Sequence, residues 1–484
     1  MLTEELVELV EQIKRQKCES QVLELKAATG GCPHKLYDTL SSFSNQDSGG
    51  VIVFGVDETK DYTVVGVYDL QKLQKSVTEQ CNQMEPPVRA VFTTAEIDGL
   101  QVCSAEIPGR DVSERPCYYT GKGSIKGSYI RVGDADQPMT DYEIYSYEAF
   151  RKHQHDDERP IDRANFSLLD QNLIESYVIQ KRVERPRFAQ LDDLQAYEML
   201  NITRDGVPTL AAVMNFGIYP QGLLPQLAVT ALVVPGTEIG EKAGTDSRFL
   251  DNKRIEGTIK NMVEDTVGFC QRNMKIQTFI DPSTGMRRDR PEYPIEAIRE
   301  AVLNALIHRD YSYLTEGTPV QVNFFTDRME IHSPGNLYGR MTVEQLGHAR
   351  PDLRNPALAV MTEVLTGAEN RYSGIPTIRR EMAQHGLPEP VFENRRNEFV
   401  VILYNGRKVE EIVDAPKADE QPKTLLEFCE EPRSRKEIAD FLHLKTKAYV
   451  MEQYIKPLLK EGKLAMTIPE KPRSALQKYK AVKK

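Results

Sequence analysis

The ten residues Gly49-Gly50-Val51-Ile52-Val53-Phe54-Gly55-Val56-Asp57-Glu58 constrain the chain more than any other segment. Two adjacent glycines let the backbone turn tightly, because without a Cβ both signs of φ are open. The apolar run Val51–Val56 then reads as a strand buried on both faces. Just upstream, Leu36, Leu40 and Phe43 recur at helical spacing within Lys35–Asn45. The pattern is therefore a helix that turns directly into a core strand. Gly55 lets another backbone or a ligand come close to that strand, and Asp57 ends it with a carboxylate.

Periodicity extends this unit in both directions. Leu6, Leu9, Val10 and Ile13 form one stripe of a helix over Thr3–Lys17. Gln21–Lys26 alternates as a short strand, and further strands are expected at Val64–Val67, Val88–Phe92, Val102–Ile107 and Tyr129–Gly133. The polar stretch Arg151–Arg163 reads as a linker into a connecting α+β region that ends near residue 248. A third unit follows over 249–410. Asp414–Lys423, rich in Pro, Lys and acids, reads as a second linker before a terminal unit over 424–484.

Composition bounds the classes available. With 484 residues, several domains with real cores are possible. No apolar run reaches the roughly 18–20 residues of a membrane span, and Met1-Leu2-Thr3-Glu4-Glu5 does not begin a signal peptide. Seven scattered cysteines suit reduced thiols. A cytoplasmic protein is expected. The net charge of −10 argues against a general nucleic-acid coat. The charge is uneven, however: Glu431–Lys484 holds 14 Lys/Arg against 6 Asp/Glu, and the rest of the chain carries a net of −18. A basic end on an acidic body is either a local surface for an anionic partner or a solvated tail.

Three acids of the first unit invite chemistry. Glu19 follows the first helix, Glu24 sits on a strand, and Asp57 ends the next strand, with Glu58 an alternative to it. If the two strands are neighbours, these carboxylates can gather around Mg²⁺ or Mn²⁺, which prefer hard oxygen ligands. Such an ion activates water and neutralises phosphate charge. Lys26 shares a strand face with Glu24 and can contact a phosphate. Spacing alone equally allows ordinary surface carboxylates.

The ordered motifs Glu19–Lys26, Ser42-Phe43-Ser44-Asn45, Gly49–Glu58, Val65-Gly66-Val67 and Tyr129–Gly133 resemble the Schlafen AlbA-type domain, over residues 1–150. The resemblance implies nucleic-acid binding. In the Schlafen ribonucleases it implies metal-dependent cleavage of RNA, notably tRNA, with Glu19, Glu24 and Asp57 as the matching ligands. Other members of the family are described only as DNA-binding or regulatory.

A second pattern lies on the helix expected over Pro294–Arg309. Ile295, Ile298, Val302 and Leu306 form its apolar stripe, while Glu296, Glu300, Asn304 and His308 recur at i+4 on another face. A Glu four residues before an Asn suits a nucleotide site: the Asn oxygen can bind Mg²⁺ and the Glu can orient water. A solvated polar face is the plainer reading. The segment Glu296–Ser312, with Asp327–Leu337 and Arg354-Asn355-Pro356, resembles the N-box helix and flanking strands of the GHKL or Bergerat ATPase fold. That resemblance implies ATP, with Glu300, Asn304, Gly335 and Gly374 around it. The chain departs from the pattern twice. Ser333-Pro334-Gly335-Asn336-Leu337 stands in place of Asp-x-Gly-x-Gly, and the second glycine box is reduced to Ser373-Gly374-Ile375.

The terminal unit has three helical stretches and a β ribbon over Lys463–Pro469, which resembles a winged helix-turn-helix. Lys445, Lys447, Lys471 and Arg473 are its candidate phosphate contacts. The expected molecule is thus a multidomain α+β protein: a Schlafen AlbA-type domain, a connecting region, a GHKL-like α/β sandwich over 249–410 and a winged helix. A metal-dependent ribonuclease acting in stress or phage defence is the leading expectation. A nucleotide-responsive DNA-binding transcriptional regulator and a nucleic-acid-binding assembly module are the alternatives. The partner is RNA or DNA, and a closed homo-oligomer is expected from the architecture.

Overall fold

The computed structural model describes residues 1–241, 248–280, 287–367, 373–406, 425–429, 432–434, 437–438, 441, 455–460, 463–467 and 478–482. It divides into two compact units, Met1–Lys408 and Val409–Lys484. The first opens with α1 (Thr3–Gln16), β1 (Leu23–Lys26), α2 (Tyr37–Ser44) and β2 (Gly50–Phe54). β1 and β2 are parallel, with Glu24 opposite Ile52 and Lys26 opposite Phe54. α3 (Leu70–Cys81) comes next, then the hairpin β3 (Val91–Ile97) and β4 (Leu100–Ile107). Asp98 and Gly99, both at positive φ, form its two-residue turn. The sheet runs β1-β2-β4-β3.

Helices cover both faces of this sheet, which accounts for the unbroken apolar run in β2. Ile52 and Phe54 join Leu36, Leu40, Phe43, Leu73 and Val77 in one core. Val53 joins Leu6, Val10 and Ile13 in the other. Gly50 is needed where it is, because a Cβ there would lie only 2.4 Å from carbons of the Phe43 ring. The strand expected to reach Val56 stops at Phe54. Gly55, at φ +98°, turns the chain, and Val56–Asp57 pairs with Thr63–Val64 in a separate ladder. A second hairpin, β5 (Tyr129–Val132) and β6 (Ala135–Pro138), leads into α4 (Asp141–Arg151).

The rest of the first unit is built on a six-stranded sheet. In chain order it contains α5 (Leu210–Phe216), β7 (Val229–Val233), β8 (Asp251–Ile255), α6 (Ile259–Asn273), α7 (Ile295–His308), β9 (Val320–Phe324), β10 (Arg328–Pro334), α8 (Pro356–Thr366), α9 (Gly374–Gln384), β11 (Val391–Asn394) and β12 (Glu398–Tyr404). The strand order is β8-β7-β9-β10-β12-β11, with β7 and β9 parallel and the other pairs antiparallel. β7 and β8 pair across residue 248, so the boundary expected there falls within one sheet. α7 packs on α6 and α9. Its Ile298, Val302 and Leu306 are buried in the common core.

Arg151–Arg163 is not a solvated linker. Asp157 is fully buried, and its Oδ2 accepts the Leu358 N–H at 2.8 Å, in the first turn of α8. A carboxylate there satisfies a helix donor that has no partner within the helix. His155 Nδ1 lies 3.0 Å from the Arg354 carbonyl oxygen.

In the second unit, Lys478–Ala481 pairs antiparallel with both Leu464–Met466 and Arg433–Ser434. Cys429, Ile438, Ile455, Leu464 and Tyr479 form its core. The Asp414–Lys423 linker lies outside the described residues, as do Lys445, Lys447, Lys471 and Arg473. The architecture is a multidomain α+β one. Among the described residues no helix is long and apolar enough to cross a membrane.

Candidate functional site

The structure brings Glu19 and Glu24 together, but around an arginine. Arg131, on β5, is buried, and its Nη2 forms an ion pair with Glu24 Oε2 at 2.8 Å and lies 4.0 Å from Glu19 Oε2. Its Nη1 donates to Asp136 Oδ1 at 2.9 Å. Lys26 pairs with the other oxygen of Glu24 rather than standing free for a phosphate. Glu19 Oε1 accepts the Leu25 N–H at 2.8 Å. Burial, then the neighbouring Glu24 and Glu58 carboxylates, push Glu19 up from the usual carboxylate range, against the Leu25 N–H and Lys26.

Asp57 is turned elsewhere. Its Oδ1 accepts from the Thr59 hydroxyl at 2.6 Å and the Thr59 N–H at 3.0 Å, and Lys60 lies 3.4 Å from Oδ2. The Thr59 hydroxyl above all holds it below the usual range. It is the cap of a local turn. The bend at Gly55 is the reason, and Glu58, not Asp57, is the acid whose charge reaches Glu19. Among the described residues no group of three His, Cys, Asp or Glu side chains is placed to hold a metal ion. With Arg131 and Lys26 on the Glu24 oxygens, the residues do not fit a divalent ion.

The second constellation does converge. Glu300, Asn304, Gly335 and Gly374 come from α7, the turn after β10 and the start of α9, and all four line one cavity of about 160 Å³. Ile331, Leu337, Met341, Ile375, Phe399 and Val401 supply apolar wall. The Glu300–Asn304–His308 face of α7 runs along it for roughly 12 Å, at about 1.5 Å rise per residue. At one end a Cβ on Gly374 would lie 2.7 Å from Asn304 Nδ2 and 3.1 Å from Glu300 Oε2, so the missing side chain is part of the space. Asn304 Nδ2 is buried there without a hydrogen-bond partner among the described residues. Burial, then Glu296, raises the Glu300 carboxyl. At the other end burial and the Arg354 guanidinium push His308 down to about 4, leaving a neutral imidazole.

That end holds residues that periodicity does not single out. Arg354 is buried, its Nη2 donates to the Asn336 carbonyl at 2.8 Å, its Nη1 lies 3.6 Å from Asp310 Oδ2, and its guanidinium sits 5.0 Å from the Tyr338 ring centroid. A Cβ on Gly335 would meet Arg354 Nη1 at 2.5 Å, which explains a glycine beside it. Asn355 Nδ2 donates to the carbonyls of Ile307 and Arg309, at 2.7 and 2.8 Å, closing the end of α7. Tyr142, on α4 of the N-terminal domain, reaches the same place. Its hydroxyl lies 3.2 Å from Asp310 Oδ2 and 3.1 Å from Asn336 Oδ1, and accepts the Asn336 N–H at 3.2 Å. Burial pushes that hydroxyl up to about 12, so it keeps its proton. The motif Arg354-Asn355-Pro356 was the signal for two of these residues, but nothing local marks Tyr142.

Three parts of the chain match known families. Residues 19–140 match the family described as Schlafen, AlbA_2. Residues 317–403 match the family described as putative ATP-dependent DNA helicase recG C-terminal. Residues 420–481 match the Fic-like C-terminal domain family, named for filamentation induced by cAMP. The chain thus has a Schlafen/AlbA-like N-terminal domain and a region named for the RecG C terminus. Among solved structures it is similar to the DIP2311 protein of Corynebacterium diphtheriae, at 19% identity over 95% of this chain and 93% of that one, with a TM-score of 0.39. It is also similar to the N-terminal domain of a putative ATP-dependent DNA helicase RecG-related protein from Nitrosomonas europaea, at 25% identity over 28% of this chain and 92% of that one, with a TM-score of 0.23. No curated protein matches the chain.

Proposed function

We propose that the chain is a nucleic-acid-binding regulator whose state depends on a nucleotide held in the α7–α9 cavity. The carrying observation is the convergence of Glu300, Asn304, Gly335 and Gly374, from three separated segments, on one cavity with a buried amide donor that has no partner among the described residues. An amphiphilic cavity with a few convergent polar groups is the usual form of a small-molecule site. Asn304 and the first turn of α9 would hold phosphate oxygens, since helix N–H groups favour anions. The apolar wall near Gly335 would take the base. Asn304 would hold phosphate oxygens through its amide, and Glu300 would face the metal ion that a bound nucleotide carries. In this reading the sheet and its helices form a GHKL-like domain, and the basic terminal unit is a winged helix that adds phosphate contacts through Lys445, Lys447, Lys471 and Arg473. The match to the Schlafen/AlbA family supports nucleic acid as the partner of the N-terminal domain.

The alternative, metal-dependent RNA cleavage, requires Glu19 and Glu24 to hold a metal with Asp57 or Glu58, whereas Arg131 and Lys26 occupy the Glu24 oxygens and Asp57 is committed to its own turn. Calorimetry with ATP, ADP and GTP in Mg²⁺, on wild type and Asn304→Ala, tests the cavity. Gel shifts of duplex DNA and tRNA with and without nucleotide test the response. Nucleotide binding lost in Asn304→Ala and a nucleotide-dependent shift are expected. Absence of nucleotide binding by wild type would sink the reading.

A further inference from the structure

The carboxylates of the N-terminal domain have a partner already. Arg131 is one of the most enclosed charges in the domain, with its side chain 1% exposed. Besides Glu24 and Asp136, its Nη2 faces the Leu23 carbonyl at 3.2 Å and the Ser20 carbonyl at 3.4 Å. Its guanidinium lies 5.2 Å from the centroid of the Phe43 ring. The acids are fixed from their other sides. Asp136 accepts the Thr39 hydroxyl at 2.7 Å and the Ser42 hydroxyl at 2.5 Å, and Glu24 accepts from Lys26.

We infer that Arg131 is the resident cation of the Glu19–Glu24–Asp136 carboxylate set, so that this domain binds nucleic acid without a metal at those glutamates. The geometry carries it in two ways. A planar guanidinium can serve Glu24, Asp136 and two strand-end carbonyls at once, whereas an ammonium cannot. A divalent ion at the glutamates would have to displace the Arg131 guanidinium from Glu24, leaving that buried cation with Asp136 as its one close carboxylate. Arg131 also ties β5 to the loop before β1, so the set acts as a structural clamp between the hairpin and the sheet. The inference goes beyond the cavity reading and stands whether or not a nucleotide binds.

The test uses the full chain. Free Mn²⁺ is followed by electron paramagnetic resonance as protein is added, for wild type, Arg131→Met and Glu24→Gln. Melting is measured for the singles and the double variant, and tRNA integrity and gel shifts are read in Mn²⁺ and in EDTA. Wild type is expected to leave millimolar Mn²⁺ free and tRNA intact. Any shift should be the same in EDTA. Each single variant should melt several degrees lower, and the double variant should melt no lower than the worse single, because the two residues act as one unit. Mn²⁺ uptake by wild type that Glu24→Gln abolishes would overturn the inference, as would RNA cleavage lost with Glu24, or melting losses that simply add. If Arg131→Met does not fold, Arg131→Lys and the wild-type Mn²⁺ titration still decide. A chain that shifts no nucleic acid at all would fail the proposed function while leaving the Mn²⁺ result to judge Arg131.

Discussion

At the scale of single residues, Asp157 and Gly374 give the sharpest tests. Burial raises the Asp157 carboxyl to about 7, against the pull of the Leu358 N–H and with the Glu158 charge adding to it. The folded state therefore holds a proton that the unfolded chain releases near pH 4. Stability falls as pH rises between about 4 and 7, by on the order of 4 kcal/mol. Asp157→Asn, whose amide oxygen can still accept the Leu358 N–H, should flatten that fall. Melting curves of both proteins at pH 5 and pH 8 check it: the variant should gain at pH 8 and not at pH 5. Gly374→Ala places a methyl against Asn304 Nδ2 and Glu300 Oε2. It should weaken nucleotide binding at least tenfold, about 1.4 kcal/mol, with melting nearly unchanged, since Ala suits the first turn of a helix. Calorimetry beside a melting curve reads both.

Elements show which parts of the molecule local pattern can reveal. α7 was legible because a helix repeats its faces every three to four residues, so Ile298, Val302 and Leu306 separate from Glu300, Asn304 and His308 without tertiary information. The turn into β2 was legible from Gly49-Gly50. It predicts that Gly50→Ala, which drives a methyl into the Phe43 ring, costs about 1–3 kcal/mol. Phe43→Leu in the same chain should recover part of that in denaturant melts. Asp57 was misplaced because one residue, Gly55, redirects the strand, and an apolar run does not reveal where its ladder ends. Arg151–Arg163 looked like a linker because its acids read as solvated. The donor that Asp157 satisfies belongs to Leu358, two hundred residues on, and no local window contains it. The pairing of β7 with β8 and β9 is long-range in the same sense.

At the scale of the first unit, two consecutive residues of α4 hold the N-terminal domain to the cavity domain. Tyr142 meets Asp310 and Asn336. Glu143 receives Arg396, whose Nε and Nη2 donate at 2.9 and 3.0 Å from the turn between β11 and β12. Glu143 Oε2 also accepts the Thr140 N–H at 2.7 Å, so one carboxylate starts the helix and joins the domains. Tyr142→Phe removes one buried hydroxyl from this junction and should cost about 1 kcal/mol. Its more telling effect is expected in gel shifts: nucleotide should still bind, but should no longer change the affinity for nucleic acid.

The Tyr142 contact also makes a demand on energetics that no view of either domain alone would suggest. Whatever factor a cavity ligand applies to nucleic-acid affinity, nucleic acid must return to the ligand, because free energy around a closed cycle sums to zero. A long DNA or RNA bound at the N-terminal domain would then set the nucleotide concentration at which the cavity fills. The same few ångströms around Asn336 would make the chain a gauge of its nucleic-acid partner as much as of the small molecule.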